Sequence, residues 1–135
     1  MALHFELVSP EKLLIAREVA MAIVPGEEGD IGVLEQHMPL ISTLRPGLVI
    51  LTADGQPMQR FFVEGGFVEV TPASCVVLAE HAQPFETLDR GAAERALADA
   101  EADLRDARNP AETQRAESAL RIARARLEAL APSVY

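Results

Sequence analysis

The residues of this chain whose types could do chemistry are three histidines, one cysteine and a short run of acids. His4, His37 and His81 are far apart in sequence and lack metal-ligand spacing. Cys75 stands in the apolar run Cys75-Val76-Val77-Leu78, which predicts a buried structural thiol rather than a nucleophile. A single cysteine also excludes an internal disulfide. Glu27-Glu28-Gly29-Asp30 offers oxygen ligands but not the spacing of an EF-hand loop, and reads as a solvated turn. No Gly-Lys-Ser or Gly-Lys-Thr of a phosphate loop occurs, and no Gly-x-Ser-x-Gly. These residues predict no catalytic group, no metal and no cofactor.

The elements that must position them fall into two halves with different periods. Up to residue 86 the period is two. Leu3, Phe5 and Leu7 alternate with His4, Glu6 and Val8, and Val19, Met21 and Ile23 alternate with Ala20, Ala22 and Val24. Gly47-Leu48-Val49-Ile50-Leu51-Thr52 is rich in β-branched residues, and Val76-Val77-Leu78 reads as a last core strand. Asp54-Gly55 and Gly65-Gly66 are hairpin signals, and Thr71-Pro72-Ala73-Ser74 is a third turn. Pro25, Pro39, Pro46, Pro57 and Pro72 are expected at turns or strand starts. Short strands at this spacing predict an antiparallel β-sandwich or barrel over 1–86.

Residues 87–135 switch to a helical period. Ala93, Leu97, Ala100, Leu104 and Ala107 form one narrow stripe, and Ala116, Leu120, Ala123, Leu127 and Leu130 form another. Asn109-Pro110 separates them, with Asn109 as N-cap, Pro110 at the first helical position and Glu112 completing a capping arrangement. So short a link predicts an antiparallel α-helical hairpin after the sandwich, an α+β protein overall. The stripes are mostly Ala, which buries little area, so the hairpin is either a weakly docked, movable element or a stably packed one.

Charge and hydropathy narrow the function classes. The 135 residues carry a net charge of −9, and residues 1–86 hold 12 acidic against four basic side chains. That balance disfavours nucleic acid. No apolar run approaches the roughly 20 residues of a membrane helix. Met1-Ala2-Leu3-His4-Phe5-Glu6 lacks the basic start and apolar stretch of a signal peptide, so a cytosolic protein is expected.

One segment concentrates the turn-formers. Val24-Pro25-Gly26-Glu27-Glu28-Gly29-Asp30-Ile31-Gly32-Val33-Leu34-Glu35-Gln36-His37-Met38-Pro39-Leu40-Ile41 packs three glycines, two prolines, four acids and a histidine into eighteen residues. With Val8-Ser9-Pro10-Glu11-Lys12, Leu44-Arg45-Pro46-Gly47 and Phe62-Val63-Glu64-Gly65-Gly66-Phe67-Val68-Glu69-Val70, it resembles the epsilon subunits of F-type ATP synthases. The likeness runs from about residue 3 to the C-terminus and is strongest in the first 80 residues.

The resemblance implies a non-catalytic rotor part of the central stalk, coupling proton flow through the c-ring to ATP synthesis. One sandwich face would pack on the gamma subunit, through Leu14, Phe62 and Phe67. The turn-rich edge would rest on polar loops of the c-ring, through Glu28, Asp30, His37, Met38 and Ile41. Each has a plainer fate: a turn cap for Asp30, a half-buried turn histidine for His37, and core burial for Met38, Ile41 and the phenylalanines. The place implied is peripheral, on the cytoplasmic face of a bacterial inner (plasma) membrane, with no insertion of this protein into it.

The resemblance also implies two forms of the hairpin, one folded on the sandwich and holding ATP, one extended along gamma and blocking hydrolysis in the alpha/beta head. The nucleotide motif, Ile/Leu-Asp-x-x-Arg-Ala, is represented by Leu88, Asp89 and Ala93, but Ala92 stands in the place of the Arg. Arg90 projects about 200° away from position 92 on a helix and does not replace it. Asp89 reads equally as an N-cap. Arg115, Arg121, Arg124 and Arg126 are candidates to meet acidic loops of the head, or form a solvated face paired with Glu117 and Glu128. A rival reading is a free-standing ATP-binding sensor, against which Ala92 counts. A further rival, an enzyme, lacks its constellation.

Overall fold

The computed structural model describes residues 2–132. Met1 and residues 133–135, the outer ends of the two expected segments, lie outside the described residues. The chain divides into two compact units, Met1–Phe85 and Glu86–Tyr135.

The first unit is a β-sandwich of two five-stranded sheets. Its strands are β1 (Leu3–Val8), β2 (Leu13–Val19), β3 (Met21–Gly26), β4 (Gly29–Val33), β5 (Leu40–Thr43), β6 (Gly47–Thr52), β7 (Gln59–Glu64), β8 (Phe67–Val70), β9 (Ser74–Leu78) and β10 (His81–Pro84). Sheet A runs β2-β1-β9-β8-β5 and sheet B runs β10-β7-β6-β3-β4. The pairings are antiparallel except β1 with β9, which is parallel.

The core lies between the sheets because the period-2 positions of both face inward. Leu3, Phe5 and Leu7 from β1 are fully buried, with Val49 and Leu51 of β6, Val63 of β7, and Cys75 and Val77 of β9. Each large apolar residue among them contributes about 1.5–3 kcal/mol by leaving water. Burial also pushes the Cys75 thiol up to about 12, so it stays protonated and inert.

Four features depart from the strand pattern expected of the sequence. The alternation over 19–24 is two strands, not one. The backbone leaves sheet A after Val19 and enters sheet B at Met21, and Ala20 makes the crossing by donating to the Thr52 carbonyl (2.7 Å). The inward phase therefore flips from Val19 to Ala22 and Val24. Gly65-Gly66 is likewise not a hairpin turn but the corner from β7 in sheet B to β8 in sheet A. Val76–Leu78 is not the last strand: β10 follows and pairs with β7 at the margin of sheet B. Pro25 sits inside β3, but past Ile23, where pairing with β6 ends.

His4 marks the outer face of sheet A. It opposes Glu18 across the β1–β2 pair, and its ring nitrogens contact Glu18 and Glu6 at 2.9 Å each. The carboxylate of Glu6, then that of Glu18, holds the imidazolium above its ordinary value of 6.5. A group whose pKa rises on folding stabilises the fold fully below its unfolded value and loses that contribution as pH climbs through the folded one. The side chain is 44% exposed, so solvent screens the effect and it is small. His4→Gln is expected to lose some stability at pH 6 and none at pH 9 relative to the parent. Urea midpoints across that range check it, and an equal loss at both ends would refute the assignment.

The second unit is the helical hairpin, α1 (Arg90–Asp106) and α2 (Pro110–Leu130). Asp89 caps α1 by accepting from the Gly91 N–H at 2.9 Å, and Asn109 caps α2 by accepting from Glu112 N–H at 2.8 Å. Glu112 reaches back to the Arg108 N–H (2.9 Å), one residue beyond the expected box. Ala93, Ala100, Ala116, Leu120 and Ala123 of the two stripes are buried, and Leu97, Leu104 and Leu127 are half-buried. Arg90 donates to the Leu130 carbonyl at 3.0 Å, so the start of α1 meets the end of α2, where a cation offsets the unpaired carbonyls.

Candidate functional site

The outer face of sheet A carries an apolar row across four strands, β8, β9, β1 and β2, ended on β5 by Thr43. Register places Thr43 opposite Phe67, Phe67 opposite Leu78, Leu78 opposite Val8, and Val8 opposite Leu13. Their strand neighbours Val68, Val77 and Leu7 are fully buried, so these positions point outward. Leu13 is 55% exposed and Phe67 44%. At this row Val8, Ser9, Pro10, Phe67, Leu78 and Glu80 line an open groove of about 470 Å3. Ile41, 69% exposed, extends the same face along β5.

The expected gamma-facing residues are distributed unevenly here. Phe67 stands in the exposed row on β8, one strand in from the β5 edge. Phe62 is buried at 1% and offers no surface in this conformation. Leu14 packs partly against the core, and its neighbour Leu13 holds the exposed place. A β-bulge is the cause. Leu7 pairs with Ile15 but Val8 pairs with Leu13, so the alternation of β2 slips by one at Leu14. Leu13 and Leu78 carried no signal of exposure in the sequence, since a bulge is not written in the hydrophobic pattern.

The expected ring-facing residues lie along one edge, where β4 closes sheet B and β5 closes sheet A. Glu28 is exposed at the β3–β4 turn. Asp30, on β4, is already engaged: its Oδ1 accepts from Arg45 Nη2 at 2.5 Å, with both side chains about a third exposed. His37 and Met38 occupy the β4–β5 loop. His37 Nδ1 donates to the Met38 carbonyl at 2.7 Å, which fixes the proton on that nitrogen, and the Met38 side chain is 79% exposed. Gln36 holds a left-handed backbone (φ 70°) and is tied by its N–H to the Pro72 carbonyl at 2.7 Å. A non-glycine residue kept in that region marks a loop whose shape is imposed by its surroundings. Leu34, 55% exposed in the same loop, adds a further apolar group the sequence did not single out.

In the hairpin, Asp89 serves as the N-cap of α1, Leu88 is half-buried and Ala93 buried. Arg90, engaged at the end of α2, supplies no cation at the position of Ala92. Arg115, Arg121 and Arg124 are exposed on α2 and Arg126 is half-buried. Among the described residues there is no grouping of three or more His, Cys, Asp or Glu fit to hold a metal ion. No described helix is long and apolar enough to cross a membrane.

Two family models match the sequence. One, for the ATP synthase Delta/Epsilon chain beta-sandwich domain, covers residues 2–85. The other, for the C-terminal domain of the ATP synthase epsilon chain, covers residues 89–135. An ATP synthase epsilon chain of Parvibaculum lavamentivorans is 49% identical over 114 residues, 84% of this protein and 86% of that one. One of Rhodospirillum centenum is 44% identical over 134 residues, 96% of this protein and 92% of its own length. Among solved structures, a subunit of the Euglena gracilis mitochondrial ATP synthase OSCP/F1/c-ring assembly matches with a TM-score of 0.85 at 25% identity, covering 96% of this protein and 81% of that subunit. A subunit in the Tetrahymena thermophila mitochondrial ATP synthase central stalk/c-ring structure shares the fold at a TM-score of 0.69 and 14% identity, covering 96% of each.

Proposed function

The chain belongs to the ATP synthase epsilon-chain family, and on that premise we propose that it is a rotor subunit of the central stalk, clamped between the gamma subunit and the c-ring. It does no catalysis itself. Its work is to couple ring rotation, driven by proton flow, to ATP synthesis in the head, from a peripheral place on the cytoplasmic face of the membrane.

The observation that carries this reading is the apolar row across sheet A. An apolar row four strands long, exposed at Phe67 and Leu13 on a protein of net charge −9, is a surface built to be covered. Phe67 supplies an aromatic anchor, Leu13, Val8 and Leu78 supply the flanks, and the groove at Ser9-Pro10 admits a protruding side chain. This is the gamma face. The β4–β5 edge, with Glu28, Asp30, His37 and Met38, is the ring face, and Ile41 on edge strand β5 stands at the corner it shares with the outer face of sheet A. Glu28 and Asp30 supply carboxylates there and Met38 an exposed apolar side chain, suited to polar loops that present arginine. An interface that carries torque needs a rigid support, and the turn geometry of Val24–Ile41 gives one.

The hairpin is the regulatory part of the proposal. Arg115, Arg121, Arg124 and Arg126 give α2 a cationic character fit for acidic loops of the alpha/beta head, where insertion limits ATP hydrolysis. Leu88, Asp89 and Ala93 keep the outline of a nucleotide motif. With Asp89 engaged as a cap and Ala92 in the place of the arginine, ATP has little to bind.

Mixing the purified protein with gamma tests the central claim. A one-to-one complex stable through size-exclusion chromatography is expected. Absence of association across a wide concentration range would sink the rotor assignment.

A further inference from the structure

Arg45 sits where three segments meet. Its Nη1 donates to the Gly26 carbonyl at 2.6 Å and its Nη2 to Asp30 Oδ1 at 2.5 Å. Its backbone N–H donates to the Pro25 carbonyl at 3.0 Å. Next to it Leu44 bridges to Gly26, and the Glu27 N–H donates to the Thr43 carbonyl at 3.0 Å. One side chain, from the link between β5 and β6, thus grips both strands of the β3–β4 hairpin.

The local sequence prepares this grip. Arg45 precedes Pro46, which biases its backbone to an extended form. Gly47 lets the following strand start close against Pro25, where a Cβ would come within 3.0 Å of the proline ring. The planar guanidinium fork satisfies a carbonyl and a carboxylate together, which a lysine cannot do in the same geometry. β4 is an edge strand, hydrogen-bonded to β3 alone, so the ladder by itself leaves the outer half of the hairpin free to twist.

We propose that Arg45 is a positioning residue for the ring-facing edge: it presets the β3–β4 hairpin and holds the Asp30 carboxylate, so that the docking partner meets a fixed ion pair rather than a bare acid. This rests on the ring-docking reading given above. Its consequence is that Asp30 and Arg45 act as one unit. Removing Asp30 releases the β4 side of the hairpin, removing Arg45 releases both sides, and removing both does no more harm than removing Arg45 alone.

A double-mutant cycle on the full-length protein tests it. The gamma-bound complexes of the parent, Asp30→Asn, Arg45→Gln and the double variant are titrated against detergent-solubilised c-rings. Each single change is expected to weaken docking about tenfold, the scale of one lost charged hydrogen bond, and the double variant about tenfold as well. Independent losses that multiply to about a hundredfold would overturn the proposal, as would parental docking by Arg45→Gln. Gamma affinity is expected to stay at the parental value in all variants, with the melting temperature lowered by at most about 5 °C, the scale of one partly exposed ion pair. A fall in gamma affinity with a larger fall in melting temperature, parallel to the ring affinity, would show general destabilisation and overturn positioning. Amide exchange of the isolated protein separates this inference from the functional reading. Arg45→Gln is expected to speed exchange at Glu27–Gly32 even if no complex docks on a ring, and unchanged exchange there would refute the clamp.

Discussion

Replacing Gly66 by alanine is expected to destabilise the sandwich by about 3–5 kcal/mol and lower its melting temperature by roughly 10–20 °C. Gly66 carries the backbone around the corner from β7 to β8 with φ of 102°, a conformation that L side chains rarely adopt. A Cβ there would stand 1.9 Å from the Leu78 carbonyl oxygen and 2.9 Å from the Ala79 Cα. Both are backbone atoms of a neighbouring strand end and cannot rotate away. The Gly66 carbonyl also accepts from the Leu44 N–H at 3.0 Å, so displacing the corner disturbs a second connection. Gly65 is the natural comparison. Its φ is 65°, and its added Cβ would meet only the mobile carboxylate of Glu80 at 2.9 Å. Gly65→Ala is therefore expected to cost about 1–2 kcal/mol, the left-handed penalty alone. Chemical denaturation of the two variants beside the parent decides the matter. Equal losses would show that the close approach at Leu78 does not govern the corner. Because Gly66 and Leu78 also wall the groove, any folded Gly66→Ala fraction should lose gamma affinity as well.

The contrast between the two glycines shows what the sequence could convey. Gly65-Gly66 announced a turn, and a turn is there. Whether it folds a strand back on its neighbour or hands the backbone to the other sheet depends on what the next strand pairs with. That partner is distant in sequence. Ala20 is the same case: nothing in an unbroken alternation marks the residue at which the backbone switches sheets. Positions whose fate is set by local chemistry were readable. Asn109 and Pro110 start α2 because a side-chain oxygen and a missing N–H suit that place in any helix. Leu3, Phe5 and Leu7 are buried because period-2 apolar runs have one good use. The candidate site was legible as a region and not as a set of partners. The turn-rich segment was singled out by its Gly, Pro and acids, yet the ion pair between Asp30 and Arg45 joins residues fifteen apart through a fold-dependent contact. Leu13 was missed because the bulge at Leu14 reverses the side to which β2 points its side chains.

That reversal leads to the second large effect. Phe67→Glu combined with Leu13→Glu is expected to weaken association with gamma by roughly 30-fold or more while leaving the sandwich folded. Both side chains project from the outer face, 44% and 55% exposed, so neither substitution opens a cavity in the core. In the complex the case is different. Phe67 lies one strand in from the β5 edge, with Leu78 across on one side and Thr43 on the other. A carboxylate there would be taken out of water with no cation in this protein's row to pair it, which costs more than the lost aromatic contact alone. Met58→Glu makes the control. Met58 is 42% exposed, comparable to Phe67, but it stands in the β6–β7 loop away from the row. Its substitution is expected to leave gamma affinity unchanged. Titration calorimetry of gamma against the parent and the two variants, with melting curves to certify folding, reads the result. If Phe67→Glu/Leu13→Glu binds as the parent does, the outer face of sheet A is not the gamma surface. If Met58→Glu is equally impaired, added negative charge anywhere on this acidic unit suffices, and the apolar row loses its special standing. A loss confined to the row would tie the docking face to the bulge in β2, because without that one-residue slip Leu14 would face outward in place of Leu13.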